Sequence, residues 1–399
     1  MKLPENVEYI LEKLEKNGYR ADIVGGPVRD FLLGKTPGDY DITTSASPEE
    51  TKRIFTDTRT VDTGIKHGTV SIILDGEQYE VTTYRIDGEY KDSRHPESVT
   101  FTENIEEDLR RRDFTMNAIA YSHRHGITDP YGGIKDTECG IIRAVGEPKL
   151  RFTEDALRIL RGARFSATLG FTVEEETKRA MLETYDLLDN VSVERIYVEL
   201  RKMISGDFAY SALLDFSKIV LHVVPELSSL SLPDKSLFED ADYPSRLISL
   251  FYLNSDCPKE KFSLAMKRLH TDSRIRELGE KILPLVNAAE TDNDRGLTRL
   301  LRAVGEECAI ALVELRVLLG LSDLREKNRL FALVDKGVTY KISDLKINGK
   351  TLLALNAVGR AVGEVLSLLL DYVIDGKIEN TEDALLDAAK DILSSMSNE

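Results

Sequence analysis

The stretch GGPVRDFLLGKTPGDYDI, residues 25–42, sets two glycines and a proline behind an apolar run, then an arginine, then Asp39 and Asp41 on either side of one tyrosine. Gly25, Gly26 and Pro27 turn the chain and open a helix, because glycine tolerates unusual dihedrals and proline suits the first helical position. Backbone amides freed at such a terminus favour an anion. Arg29 falls in the first turn, where the helix dipole disfavours a cation unless an anion is close by. If DYDI is a strand, alternation sets Asp39 and Asp41 on one face and Tyr40 and Ile42 on the other. Two such carboxylates repel unless they are solvated or bridged by a divalent cation, and hard oxygen donors point to magnesium. The other reading of an isolated Asp-x-Asp is a turn whose acids cap backbone amides.

Outward from this stretch, ADIV at 21–24 reads as a buried strand, and GTVSIILDGEQYEVTTYR at 68–85 reads as a hairpin around Asp75-Gly76. Alternation on its second strand sets Glu80 opposite Tyr79 and Val81, as a candidate third carboxylate or a solvated strand residue. MKLPENVEYILEKLEKNGYR at the start reads as an amphipathic helix. Beyond about residue 150 the period changes to 3.6, in segments such as EETKRAMLETYDLLDNV and VERIYVELRKMIS. The chain therefore predicts an α+β architecture in four blocks: a mixed head at 1–150, a helical neck at 151–210, a helical body at 211–335 and a helical tail at 336–399. Gly and short polar clusters around 228–236 and 336–350 mark the softer boundaries.

Composition narrows the function. The 399 residues carry a net charge of −16, which repels polyanions at long range, so any nucleic-acid contact must use a local basic patch. No apolar run is long enough to span a bilayer and the N-terminus lacks a signal-peptide core, so a cytoplasmic protein without membrane contact is expected. Cys139, Cys257 and Cys308 are odd in number, far apart and without ligand spacing, which predicts buried thiols.

Residues 25–41 resemble the GGxVRDxLLGxxxxDxD signature of the class II nucleotidyltransferases, the family of CCA-adding tRNA nucleotidyltransferases and bacterial poly(A) polymerases. DLRRRDFTMNAIAY at 108–121, DPYGGIKD at 129–136, EDALRILRGARF at 154–165 and VSVERIYVEL at 191–200 resemble its further motifs, in order. The resemblance implies a polymerase-β-like head with a mixed sheet, followed by an all-helical neck, body and tail. It also implies template-independent addition of C, C and A to the 3′ end of tRNA from CTP and ATP, with two Mg2+ ions and pyrophosphate release. Asp39 and Asp41 would hold the metal, with Glu80 as the third catalytic acid. Gly25, Gly26, Arg29, Arg112, Asp113 and Asn117 would bind the sugar and phosphates of the incoming nucleotide, and recognition of a 2′-hydroxyl would favour ribonucleotides.

On EDALRILRGARF, read as one helix, Asp155, Arg158 and Arg161 are spaced by three and share a face. An intrahelical salt bridge is one reading. The other is chemical: cytosine and adenine present an amino donor beside a ring-nitrogen acceptor, which matches an Asp acceptor beside an Arg donor, whereas uracil and guanine present the reverse. The resemblance implies that Asp155 and Arg158 select the base, with Arg161 near the base or triphosphate. Likewise Arg110–Arg112 read either as a solvated helix turn with ion pairs or as a nucleotide clamp.

The polar segment 85–101 reads as a loop beside the site, associated in the family with the switch from C to A addition. Its full length argues against a CC-only enzyme, while His95 after Arg94 departs from the family pattern. His67 is read as structural and not as a general base. In the tail, Asn356-Ala357-Val358-Gly359 departs from the family's Gly-Pro, and Lys346, Lys350 and Arg360 are candidate RNA contacts. An A-adding specialist, a poly(A) polymerase and a non-catalytic RNA-binding protein are the competing readings. Loss of Asp39, Asp41 or Arg112 would mark the last, and all three are present. The oligomeric state stays open.

Overall fold

The computed structural model describes residues 1–65, 68–88, 98–289 and 291–396, so His67, Arg94 and His95 lie outside the described residues. The chain forms two compact units, Met1–Pro225 and Glu226–Glu399.

Four consecutive buried residues make β1 (Ala21–Val24) a central strand, covered on both faces. It pairs antiparallel with β2 (Ile42–Thr44), which in turn runs parallel to β5 (Glu77–Thr83). With β3 (Arg59–Gly64), β4 (Thr69–Leu74), β8 (Ala120–Ser122) and β9 (Gly126–Thr128), the order is β3-β4-β5-β2-β1-β8-β9, a mixed seven-stranded sheet. Asp75 and Gly76 both take positive φ, 51° and 84°, as a two-residue hairpin requires. Tyr79 and Val81 point inward and Glu80 outward. Helix α1 (Glu5–Lys16) buries Val7, Ile10, Leu11 and Leu14 in one cluster with Ile23, Ile42, Ile72 and Val81. At about 1.5–3 kcal/mol per buried side chain, that helix is a main fastening of the sheet.

Two local expectations change. The regular part of β2 begins at Ile42, so Asp39–Asp41 form an irregular lead-in, although the Asp41 carbonyl still accepts from the Val24 N–H at 3.0 Å. EDALRILRGARF is not one helix: α6 (Pro148–Glu154) ends at Asp155, whose backbone is extended (φ −137°, ψ 102°), and α7 (Leu157–Leu169) starts afresh. The cause is the Asp155 side chain, which accepts from the Leu157 N–H at 3.1 Å and so competes with helix continuation. The thiols also divide: Cys308 is buried, but Cys139 and Cys257 are exposed.

After α7, the helices α8 (Glu175–Thr184) and α9 (Val193–Ile204) and two shorter ones at Ala209–Asp215 and Ser217–Val223 complete the first unit. The described second unit is helical, with apolar faces such as that of Asp294–Val304, which buries Leu297, Leu300 and Leu301. Its C-terminal part gathers its own cluster of Leu345, Leu352, Val365, Leu369, Leu385 and Ala389. No described helix is long and apolar enough to cross a membrane.

Close backbone approach fixes the segment that follows α4 (Ile105–Arg110). Helix α5 (Gly133–Glu138) is capped by Asp129, which accepts from the Gly133 and Ile134 N–H groups at 2.7 and 2.9 Å. A Cβ on Gly133 would lie 2.1 Å from the Thr115 carbonyl oxygen, in the 3-10 turn Thr115–Asn117. Gly133→Ala is therefore expected to destabilise the fold by about 1–3 kcal/mol and to displace Asn117; urea unfolding with unchanged midpoint would refute this packing constraint.

Candidate active site

The parallel register Ile42↔Val81 brings Asp41, at the entry to β2, level with Glu80 on β5. Asp41 and Glu80 line a polar cleft of about 240 Å3 with Thr43, Thr82, Arg111 and Arg112. An adjoining open hollow carries Asp39, Tyr40, Asp41 and Glu80. Both aspartates are exposed. Loss of surrounding water pushes the Asp41 carboxyl above its usual range, with Arg112 pulling it down, Asp39 raising it and Arg161 opposing. A divalent cation would cancel the Asp39–Asp41 repulsion, and an all-oxygen donor pair suits magnesium. Among the described residues no three acids, histidines or cysteines form a ready-made metal shell. Such an ion would draw further ligands from water and nucleotide phosphates, as Mg2+ commonly does.

Behind the acids runs a continuous polar chain. Arg29, on α2 (Gly26–Leu32), donates from Nη1 to Asn117 Oδ1 at 2.7 Å and from Nη2 to Asp30 Oδ1 at 2.7 Å. Asp30 thus supplies the anion that the dipole argument required, and Arg29 is a bracket for Asn117. Asn117 Nδ2 donates to Asp113 Oδ1 at 3.1 Å, and Arg161 donates from Nε and Nη2 to Asp113 Oδ2 at 2.8 and 2.6 Å. Burial alone would raise the Asp113 carboxyl, but Arg161 and the Asn117 amide hold it far below the ordinary range. Gly25, at φ 77°, makes room for this: a Cβ there would lie 3.1 Å from Arg112 Nη1 and 3.4 Å from the Asn117 carbonyl. Gly26 has Arg29 Nη2 as its neighbour, at 3.7 Å from the same construction.

The RRRD segment is not a solvated turn. Asp108 is fully buried, bound by Arg111 at 2.7 Å and approached by Arg112 at 3.5 Å. Arg112 Nε is buried with no acceptor among the described residues, while the side chain lines the cleft beside Asp41. The base-reading pair is arranged differently from the sequence expectation. Arg158 donates to Glu154 Oε2 at 2.7 Å and to the Arg151 and Arg111 carbonyls at 3.0 and 2.7 Å. Asp155 is instead held by Arg195 Nη2, at 3.0 Å. Among the described residues no ion pair joins Asp155 to Arg158: in place of the intrahelical bridge, Arg158 pairs with Glu154 and Asp155 with Arg195. Sequence reasoning passed over Glu154, Arg195 and Glu199, although Arg195 and Glu199 stand four apart in the quoted VSVERIYVEL.

Residues 21–143 match the poly(A) polymerase head domain, 170–230 a probable RNA and SrmB-binding site of polymerase A, and 244–389 the tRNA nucleotidyltransferase domain 2. The sheet, the acid pair and these matches define a nucleotidyltransferase with a poly(A) polymerase-type head. The chain belongs to the family of CCA-adding enzymes: it is 36% identical over 396 residues to that of Lactobacillus helveticus, covering 94% of each chain. It is 37% identical over 390 residues to that of Enterococcus faecalis, covering 96% of this chain and 94% of the other. The crystal structure of the Bacillus stearothermophilus CCA-adding enzyme in complex with CTP matches the fold with a TM-score of 0.81, at 30% identity over 100% of both chains. The Thermotoga maritima CCA-adding enzyme complexed with tRNA shares the fold at a TM-score of 0.68 and 21% identity, over 99% of this chain and 96% of that one. Enzymes of this class generally use a divalent metal.

Asp113→Asn removes the charge from a mostly buried pair and is expected to cost roughly 2–3 kcal/mol at neutral pH, less than a fully buried pair because Arg161 stays partly open to water. Because the folded-state pKa is depressed, this contribution is complete above the unfolded value of about 3.9 and is lost as pH falls below it. Urea unfolding of both proteins should give a gap that is flat from about pH 8 to 5 and narrows in stronger acid. A gap that already closes between those two values contradicts the assignment.

Proposed function

We propose that this protein adds C, C and A in turn to the 3′ end of tRNA, from CTP and ATP without a template, releasing pyrophosphate at each step. The observation that carries the reading is that motif segments spread over 25–41, 108–117 and 154–199 come together behind one acid pair. Full-length membership of the CCA-adding family supports it. In this reading the head, 1–150, performs the transfer, the neck, 151–210, selects the base, and the body and tail, 211–335 and 336–399, hold the tRNA. The setting is cytoplasmic.

Asp39 and Asp41 would hold the magnesium, and Glu80 stands near enough in register to orient it or the attacking end. Two such ions, when bound there, would lower the pKa of the 3′-hydroxyl and offset the charge of the departing pyrophosphate. The rest falls to the chain. Arg112, which lines the cleft beside Asp41 and Glu80, would meet a phosphate or sugar oxygen there. Asn117, fixed by Arg29 and by Asp113, keeps one Oδ1 lone pair and one Nδ2 N–H for ribose hydroxyls, while the Asp113 oxygens are taken up by Phe114, Asn117 and Arg161 and hold that amide in place. Arg29 acts through Asn117, and Gly25 and Gly26 leave the backbone bare for close approach. Asp155 presents the carboxylate that accepts from the amino group shared by cytosine and adenine, and Arg158 ties this neck segment to the Arg111 carbonyl.

Incubation with magnesium, CTP and ATP is expected to extend a tRNA lacking CCA by three nucleotides and then stop. Extension of a CC end alone would indicate an A-adding specialist, and continued A addition a poly(A) polymerase. Asp39→Ala and Asp41→Ala are each expected to abolish incorporation while changing tRNA affinity less than about threefold, because a phosphoryl-transfer metal site is lost and RNA contacts are not. Undiminished incorporation by either variant overturns the metal assignment.

A further inference from the structure

Helix α9 carries two charged residues one turn apart, Arg195 and Glu199, both turned toward α7 and its start. Glu199, 5% exposed, accepts from Arg164 Nε at 2.8 Å and lies 3.8 Å from Arg161 Nη1. Arg195 donates from Nη2 to both oxygens of Asp155, at 3.3 and 3.0 Å. One helix thus braces the base-selecting acid and, through Arg161, the Asp113 site.

We infer that Arg195 is a positioning residue for base selection: it fixes the direction in which the Asp155 carboxylate accepts a hydrogen bond. The inference rests on the reading of Asp155 as the base-selecting acid. Asp155 sits in a helix break, where the Leu157 N–H holds Oδ1 and leaves the direction of Oδ2 to another donor. Its donors among the described residues are the Leu157 N–H on Oδ1 and Arg195 on both oxygens. Arg158, the obvious neighbour in sequence, is occupied with Glu154 and two carbonyls and does not orient it. Arg195 Nη1 is buried with no acceptor among the described residues, so the guanidinium is not pulled elsewhere. Without Arg195 the carboxylate keeps only the Leu157 N–H as a donor among the described residues, and Oδ2 is free to turn and present its acceptor over a wider arc. The amino group of cytosine or adenine then loses its advantage over the keto group of uracil or guanine, because discrimination depends on a fixed acceptor.

The test is the ratio of kcat/KM for CTP to that for UTP on a tRNA ending before the first C, in the full-length protein and in Arg195→Gln, Arg195→Lys, Asp155→Asn and the Asp155→Asn/Arg195→Gln double variant. Arg195→Gln should lower the ratio about tenfold or more, chiefly through KM for CTP, and Arg195→Lys, which keeps one charged donor, should recover part of it. The double variant should discriminate no worse than Asp155→Asn alone, since Arg195 acts through Asp155. A ratio untouched by Asp155→Asn refutes Asp155 as the base-selecting acid. A ratio that falls with Asp155→Asn but holds in Arg195→Gln, or effects that multiply in the double variant, overturns the inference and leaves Asp155 in place. If Arg195→Gln does not fold, Arg195→Lys carries the comparison, and a wild-type ratio in that variant with its ion pair to Asp155 broken, as read from a structure, is equally fatal.

Discussion

The buried pair of Asp113 and Arg161 is the constraint on which the site depends. Asp113 belongs to the head and Arg161 to α7, so one bidentate contact ties the sheet domain to the helices that follow it. A carboxylate withdrawn this far from water is stable only if its charge is answered, and Arg161, Asn117 and the Phe114 N–H answer it. Each partner is itself held: Asn117 by Arg29, Arg29 by Asp30, and Arg161 by Glu199. Along this chain of contacts each buried charge therefore meets an opposite one. Phe165 lies beneath three arginines, with Arg164 stacked 3.5 Å from its ring centre.

This arrangement leaves the reactive end comparatively open. Asp39, Asp41 and Glu80 face water, and their mutual repulsion makes the cleft a place for a cation. Rigid polar support behind and exposed acids in front is what nucleotidyl transfer needs, since its catalysis is mostly positioning and charge stabilisation. The same division explains how a chain of net charge −16 handles nucleotides and RNA. The arginines needed are concentrated locally, each within reach of an acid that holds it in place.

Much of this was legible without coordinates, and for definable reasons. Period-2 alternation placed Tyr79 and Val81 inward and Glu80 outward, the Asp75-Gly76 pair located the hairpin, and the 3.6 period located α1 and α9, because each of these depends on neighbours in sequence. The spacing of the acids and arginines identified the chemistry through its resemblance to a family. What the sequence determined by itself was therefore the inventory: a mixed-sheet head, helices after it, and the acids and arginines whose spacing matches the family's motifs. Tertiary structure alone decided how those residues are paired. A side-chain capping bond broke the helix at Asp155 and left its carboxylate to Arg195, forty positions away, and Arg158 is held by the Arg111 carbonyl as well as by its local i,i+4 neighbour Glu154. Local spacing cannot choose among several possible partners for a charge, because that choice is made by which groups burial brings together and leaves needing an answer.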